Sequence, residues 1–569
     1  MHDLVVRGGT LVDGTGAPPR TADVAIDGGV VTEVGRVDGR ARETIDADGL
    51  LVTPGFVDVH THFDGQVTWD PLLTPTCWHG VTTVVMGNCG VGFAPARPDR
   101  HEWLIGLMEG VEDIPGAALS AGIEWEWESF PEYLDAVDRR PKLFDVATQV
   151  PHGAVRAYVM GERGARNEPA TADDIEQMAR IVREGIEAGA LGFSTSRTIA
   201  HMAIDGEPVP GTFAAEDELF GIGRVLGELG TGVFELAPAG ALGEDLAAPD
   251  REMDWMRRLS AAIGRPVTFA LTQNDHDPDA WSRMLELAQR AAQEGAQVHP
   301  QVAGRPVCLL LGLQTFHPFA YCPSFAPFGA APLAEKVARM RDPQVRAALL
   351  AEVDAAIAPM RQFLDPERAF PMGEVPDYEP PRERSIAAIA AAQGRPTMEV
   401  YYDALLEDDG RALVMRPLLN YTHFSLDAVR TMLDHPTTTW GLGDGGAHCG
   451  TTCDASTPTF MLTHWARDRG HGRFPVEEIV RKMTSRTAAL YGLGDRGVLA
   501  PGRLGDLNVI DHDALRLPRP EMVYDLPGDA RRFVQRADGY VATVKRGVVV
   551  LRDGEDCGER PGRLVRGAR

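Results

Sequence analysis

Apolar residues recur along this chain in two rhythms. Near the start, short runs (LVVRGGTLVDG, ADVAIDGGVVTEVG, ETIDADGLLVTPG) alternate apolar and polar positions between Asp3 and Thr53, and Gly and Asp turns break them. Near the other end GDLNVIDHD and GYVATVKRGVVVLRDGE repeat the pattern. Period-two alternation bounded by such turns predicts β-strands, and two ends of like pattern are expected to fold together as one small β unit. Between them, strand-like runs alternate with helical ones. GFVDV, VTTVVM, LFDVATQV, ALGFSTS, GVFELA, PVTFAL, AQVHPQV and TWGLG read as strands, and DDIEQMARIVREGIEAG reads as a helix. Parallel strands need long, usually helical crossovers. The repetition therefore predicts a parallel sheet, and seven or eight such strands predict a closed α/β barrel with its active site at the strands' C-terminal ends. A Pro- and Arg-rich stretch with helices, at about 355–422, predicts an insertion before the last barrel strand.

Length and charge narrow the picture. The 569 residues exceed one ordinary domain but suit a large barrel with an accessory unit. With 56 Lys plus Arg against 82 Asp plus Glu, the formal charge of -26 argues against nucleic acid or an anionic membrane as partner. Seven scattered cysteines do not form a disulfide scaffold and fit a reducing cytosol. The N-terminus lacks a secretory pattern, and apolar runs such as Val307 to Leu313 are too short to span a bilayer. The expectation is a soluble cytoplasmic protein acting on a small molecule, its oligomeric state left open.

Candidate chemistry centres on PGFVDVHTHFD. His60 and His62 lie two residues apart at the end of a strand-like run, so their side chains share a face and can close on one ion. Cys89, in VVMGNCGVGFAP, follows the next run and is a strong ligand as a thiolate, or else a small buried apolar residue. Asp444, in WGLGDGGAHCG, ends the last strand. A carboxylate there can bind a metal and act as general base, although Asp before Gly-Gly also suits a plain turn. His448 and His152 could polarise a carbonyl, orient the base or be structural. Cys449 and Cys453 are too weak a zinc signal to use.

The ordered set PGFVDVHTHFD, GVTTVVMGNCGVGFAP, HGAVRAYVMG, EAGALGFSTS, GLGDGGAH and GVLAPGRLGDLNVID, with its split terminal β unit, resembles the amidohydrolase superfamily, most closely its N-acyl-D-amino-acid deacylase (D-aminoacylase) branch. The resemblance covers nearly the whole chain. It implies an α/β fold, a TIM-like (β/α)8 barrel at 55–486, with a composite β-sandwich from 1–54 and 487–569. It implies hydrolysis of C–N bonds through metal-activated water, with His60 and His62 as metal ligands, Cys89 as the cysteine ligand near zinc, and Asp444 as ligand and general base.

Departures from the family follow. The family carries a histidine at the ends of its fifth and sixth strands. Here Ala237 stands at the fifth, and Leu271, Thr272 or Gln273 at the sixth. A tyrosine-rich seventh-strand motif is replaced by VHPQVAG, with His299 and Gln301. One divalent ion, zinc by the resemblance, therefore fits better than two. Glu235, two residues before Ala237, faces the same way one layer deeper and could reach the ion or a bound water, or pair with a buried Arg. Gln273 suits substrate recognition, and His201 lies on a loop that could line the mouth. Two readings compete with the hydrolase: a non-catalytic barrel that has lost part of its metal site, and a lyase or decarboxylase.

Overall fold

The computed structural model describes residues 1–567, so 568–569, the end of the expected C-terminal β unit, lie outside the described residues. Five strands precede the barrel: β1 (His2–Leu11), β2 (Arg20–Asp27), β3 (Val30–Gly35), β4 (Ala41–Asp46) and β5 (Leu51–Pro54). The barrel then begins with β6 (Phe56–Asp58), β7 (Val81–Met86) and β8 (Asp145–Thr148), the last continued by β9 (Val150–Pro151). It proceeds through β10 (Gly192–Ser196), β11 (Val233–Ala237), β12 (Val267–Ala270) and β13 (Val298–Val302). Successive strands pair in parallel. Nearly all their residues are buried, as expected of strands with helices outside and side chains within.

The crossovers are helical because the sequence caps and stripes them. The helix Ala172–Ala188 opens on a capping box, in which the Thr171 hydroxyl accepts the Asp174 N–H while the Asp174 carboxylate accepts the Thr171 N–H. Met178, Val182 and Ile186 form its buried stripe, and Gly189, at φ 122°, ends it.

After β13 the chain leaves the barrel. β14 (Val307–Leu311), β15 (Phe370–Pro371) and β16 (Val414–Leu419) form a small antiparallel sheet. It lies against a separate core that includes Phe319, Leu349, Val353, Tyr401 and Leu405. β17 (Thr439–Trp440) returns beside β13. Closure against β6 follows just beyond both strands, where Thr61 bridges Gly445 in parallel. The Asp444 N–H donates to the His60 carbonyl at 3.0 Å, and the His62 N–H donates to the Gly445 carbonyl at 2.8 Å. This approach needs glycine, since a Cβ on Gly443 would stand 2.1 Å from Asp58 Oδ2 and one on Gly446 2.8 Å from the His62 carbonyl oxygen. Among the described residues, eight strand positions thus close a (β/α)8 barrel.

The chain then adds β18 (Leu507–Ile510), the hairpin β19 (Glu521–Leu526) and β20 (Ala530–Val534), and finally β21 (Tyr540–Lys545), β22 (Val548–Arg552) and β23 (Glu555–Asp556). One sheet runs β23-β22-β21-β18-β5-β1-β2-β3, with β4 beside β1, so the two termini share it through the antiparallel β5–β18 pair. Leu4, Val6, Val24, Ile26, Val52, Leu507, Val509 and Val544 fill its core. The protein is an α/β barrel with a β-sandwich drawn from both ends. Among the described residues no helix is long and apolar enough to cross a membrane.

Asp145, fully buried at the start of β8, locks the C-terminal segment to the barrel. It meets Lys545 Nζ at 2.9 Å, Arg496 Nη1 at 2.7 Å and Arg546 Nη2 at 3.1 Å. Burial pushes its carboxyl up, but the charges of Lys545, Arg496 and Arg546 outweigh that and hold it well below the usual carboxylate range. With the folded pKa depressed, this stabilisation is complete above the unfolded value of about 3.9 and is lost as pH falls through the folded one. Asp145→Asn leaves three cations around a neutral group, which costs about 3–5 kcal/mol. Its melting midpoint at pH 7 should fall by several degrees, and an unchanged midpoint would show that the network contributes nothing.

Candidate metal centre and active site

β6 ends at Asp58, and the chain turns into the barrel mouth carrying His60 and His62, both buried. His60 Nδ1 lies 2.9 Å from Gln301 Oε1, and a carboxamide oxygen only accepts, so Nδ1 carries the proton and Nε2 keeps its lone pair. That Nε2 lies 3.3 Å from Cys89 Sγ and 3.5 Å from Asp444 Oδ1. His62 Nε2 lies 3.9 Å from the same Asp444 oxygen. One donor atom each from His60, His62 and Cys89 falls within 4.8 Å of the other two, the one such group among the described residues able to hold a metal ion.

This arrangement carries backbone strain. Cys89 (φ 56°), Asp444 (φ 46°) and His448 (φ 49°) all occupy the left-handed region, which costs non-glycine residues energy and concentrates at functional sites. The Cys89 N–H donates to Glu235 Oε2 at 2.9 Å.

The donors fit a soft divalent cation. Zinc takes imidazole nitrogen, thiolate sulfur and carboxylate oxygen in four-coordinate sites, and bonds of about 2.1 and 2.3 Å put neighbouring ligand atoms about 3.5 Å apart. The observed 3.3 and 3.5 Å match that spacing. With protein alone around them, all four groups are driven to their neutral forms. Burial lowers His60 to about 4 and His62 well below its ordinary value. Burial, reinforced by nearby carboxylates, raises the Cys89 thiol and the Asp444 carboxyl well above theirs. A cation reverses this for thiol and carboxyl, because it stabilises the charged forms that burial penalises.

The other sequence-predicted residues divide by position. Glu235 Oε1 lies 3.7 Å from His60 Nδ1, the nitrogen that does not face Cys89 Sγ, and burial raises its carboxyl to about 8. His201 Nδ1 pairs with Ser196 Oγ at 3.1 Å, and the ring is lowered to about 3 by burial and by His448 and His60 nearby. His448 Nε2 faces Glu112 Oε2 at 3.7 Å. His152 stands apart, its nitrogens bonded to Thr195 Oγ1 at 2.8 Å and Glu218 Oε1 at 3.0 Å, and Glu218 also grips Arg156. Gln273 ties its loop to the segment after β16, accepting from the Thr422 N–H and donating to the Pro278 carbonyl. His299 lies on the centre's strand but two residues before Gln301, bonded to the Thr437 carbonyl. Ala237 and Leu271 are buried and apolar.

Two supporting groups were not assigned from sequence. Gln301 stood only as a replacement within a motif, and its oxygen orients His60. Glu112, whose Oε1 lies 3.2 Å from His62 Nδ1, went unmarked. Its one signal was a carboxylate at the C-terminal end of a helix, where the macrodipole disfavours negative charge.

A barrel of this closure with histidine, cysteine and aspartate donors at its mouth has close counterparts among known proteins. Residues 43–551 match the model of the Amidohydrolase family, and the chain belongs to that family. D-aminoacylase of Alcaligenes xylosoxydans xylosoxydans is 27% identical over 567 residues, covering 99% of this chain and 97% of that protein. A solved D-aminoacylase, described by one-metal activation and second-metal attenuation of a binuclear centre, superposes with a TM-score of 0.65 at 25% identity over 100% of both chains. N-acyl-D-glutamate deacylase of Bordetella bronchiseptica, solved with zinc and a phosphonate inhibitor, shares the fold at a TM-score of 0.66, 23% identity and 100% coverage of both chains. The protein is a metal-dependent hydrolase of C–N bonds.

Chelator-washed protein titrated with zinc should take up close to one equivalent, and replacing both His60 and His62 by alanine should abolish uptake. Two tightly held equivalents would contradict the one-ion reading.

Proposed function

We propose that the protein removes the acyl group from an N-acyl amino acid or a related small amide, using one divalent ion, zinc by its donor set, held by His60, His62, Cys89 and Asp444. The observation that carries the reading is the grouping of donor atoms from His60, His62 and Cys89 within 4.8 Å of one another at the C-terminal mouth of the barrel, with Asp444 Oδ1 3.5 Å from His60 Nε2 and 3.9 Å from His62 Nε2. The fifth and sixth strand ends support a single ion, because Ala237 and Leu271 offer a second ion no ligand atom. The D-aminoacylase described by one-metal activation makes that count compatible with turnover.

The bound ion would polarise the amide carbonyl and lower the pKa of a water molecule. The chain supplies the rest. Asp444 directs Oδ1 toward both imidazoles, which leaves Oδ2 to take a proton from the attacking water and deliver it to the departing amine nitrogen. Atoms balance as amide plus water to carboxylate plus amine. Gln301 and Glu235 hold His60 and Cys89 from behind. His201 and His448 border the site and are placed to contact substrate.

Asp444→Asn should keep the fold and lower turnover by a factor on the order of a hundred or more. Near-normal turnover in folded, zinc-loaded Asp444→Asn would remove Asp444 from the mechanism. Substrates are best sought in a panel of N-acyl-D-amino acids, N-acyl-L-amino acids and small cyclic amides, with products identified. Release of free amine and carboxylate supports the reading, whereas carbon dioxide or an unsaturated product would point to a decarboxylase or lyase. Simple N-acetyl-D-amino acids should be turned over poorly, since VHPQVAG lacks the family's seventh-strand tyrosines. Efficient turnover of N-acetyl-D-methionine would refute that expectation.

A further inference from the structure

Helix α1 (His101–Glu112) ends unfavourably for a carboxylate. Its last residue, Glu112, sits where the unpaired carbonyls of the helix concentrate negative charge, and it is 1% exposed. A buried carboxylate in such a place ordinarily finds an arginine or lysine. Among the described residues, the basic side chains within ion-pair distance are the imidazoles of His62 and His448. Oε1 stands 3.2 Å from His62 Nδ1 without completing a hydrogen bond to it, and neither buried atom has any hydrogen-bond partner, so each is the nearest available mate for the other. Oε2 stands 3.7 Å from His448 Nε2.

The backbone reinforces this placement. The Glu112 carbonyl accepts the His448 N–H, and the next residue, Asp113, accepts the Thr451 hydroxyl at 2.9 Å. The end of α1 is thereby fastened to the loop that carries Asp444. His62 lies on one side of Glu112 and that loop on the other.

We propose that Glu112 is a positioning residue for the metal centre, an inference that rests on the one-metal amidohydrolase reading. Its side chain is placed to take the Nδ1–H of His62 when that ring coordinates, which would fix the tautomer whose Nε2 lone pair faces Cys89 and Asp444, while its backbone carbonyl holds the His448 N–H and with it the Asp444 loop. This is the role Gln301 plays for His60, supplied here by a carboxyl group. Acceptors behind metal-bound histidines typically govern about ten- to a hundredfold in metal affinity.

The test is zinc affinity, measured by competition with a chromophoric chelator on wild type, Glu112→Gln and Glu112→Ala. Far-UV circular dichroism and the melting midpoint of each metal-free protein serve as the folding control. Glu112→Gln keeps shape and volume but loses the charge, so packing alone would leave its affinity unchanged. The expected result is a rise in the zinc dissociation constant of about ten- to a hundredfold in Glu112→Gln, with the metal-free midpoint near wild type. Cobalt(II) loaded in place of zinc should show an altered visible spectrum in that variant. Zinc bound by Glu112→Gln within twofold of wild type overturns the proposal. So does a loss confined to Glu112→Ala, which assigns the effect to packing. Should Glu112→Ala fail to fold, Glu112→Gln decides alone. Wild type that binds no zinc would instead overturn the metal reading itself, and the proposal with it.

Discussion

The barrel closes at the residues proposed to do its chemistry. Between the first and last strands the backbone bonds run from the Asp444 N–H to the His60 carbonyl and from the His62 N–H to the Gly445 carbonyl. Successive side chains on extended backbone alternate faces, so this register decides which of them face the mouth, and a slip of one residue would turn His60 and His62 away together. The glycines around Asp444 are part of the same constraint, because the last strand's loop passes so close to Asp58 and the His62 carbonyl that side chains at Gly443 and Gly446 would collide with them. Closure is thus both the completion of the fold and the assembly of the site.

Around that seam the structure arranges a second layer of groups. Gln301 on the seventh strand orients His60, Glu235 on the fifth grips the Cys89 N–H, and Glu112 at the end of α1 backs His62. Three left-handed non-glycine residues and several unpaired buried polar atoms cluster here, including Glu235 Oε1, Glu112 Oε1 and Asp58 Oδ2. In a protein of marginal stability such features persist only where the surroundings over-determine them. Here the barrel wall supplies that rigidity, and the Asp145 network far down the third strand anchors the wall to the terminal sheet.

Much of this was legible in the sequence, for physical reasons. The β-then-α rhythm revealed the barrel, and the matching alternation at both ends revealed the shared sheet. His60 and His62 were readable because residues two apart on extended backbone share a face, and Cys89 and Asp444 because each follows a strand. His152 follows a strand too, but it opens the helix His152–Met160 and its rings of contact, Thr195 and Glu218, come from distant segments. His299 was placed on the right strand, yet depth within a barrel depends on register with the neighbours, which no local pattern reveals. Glu112 lies some fifty residues from the histidine it backs, on a helix whose periodicity reports only its buried stripe. Its position became meaningful once the loop after the last strand was seen to fold over the end of α1.

Zinc K-edge X-ray absorption on protein loaded with one equivalent tests the central claim most directly, since it reads the ligand atoms themselves. The expected spectrum shows a single ion with one sulfur neighbour, imidazole nitrogens and a carboxylate oxygen, and no metal–metal scattering. A first shell without sulfur, or a second metal within about 4 Å, would contradict it.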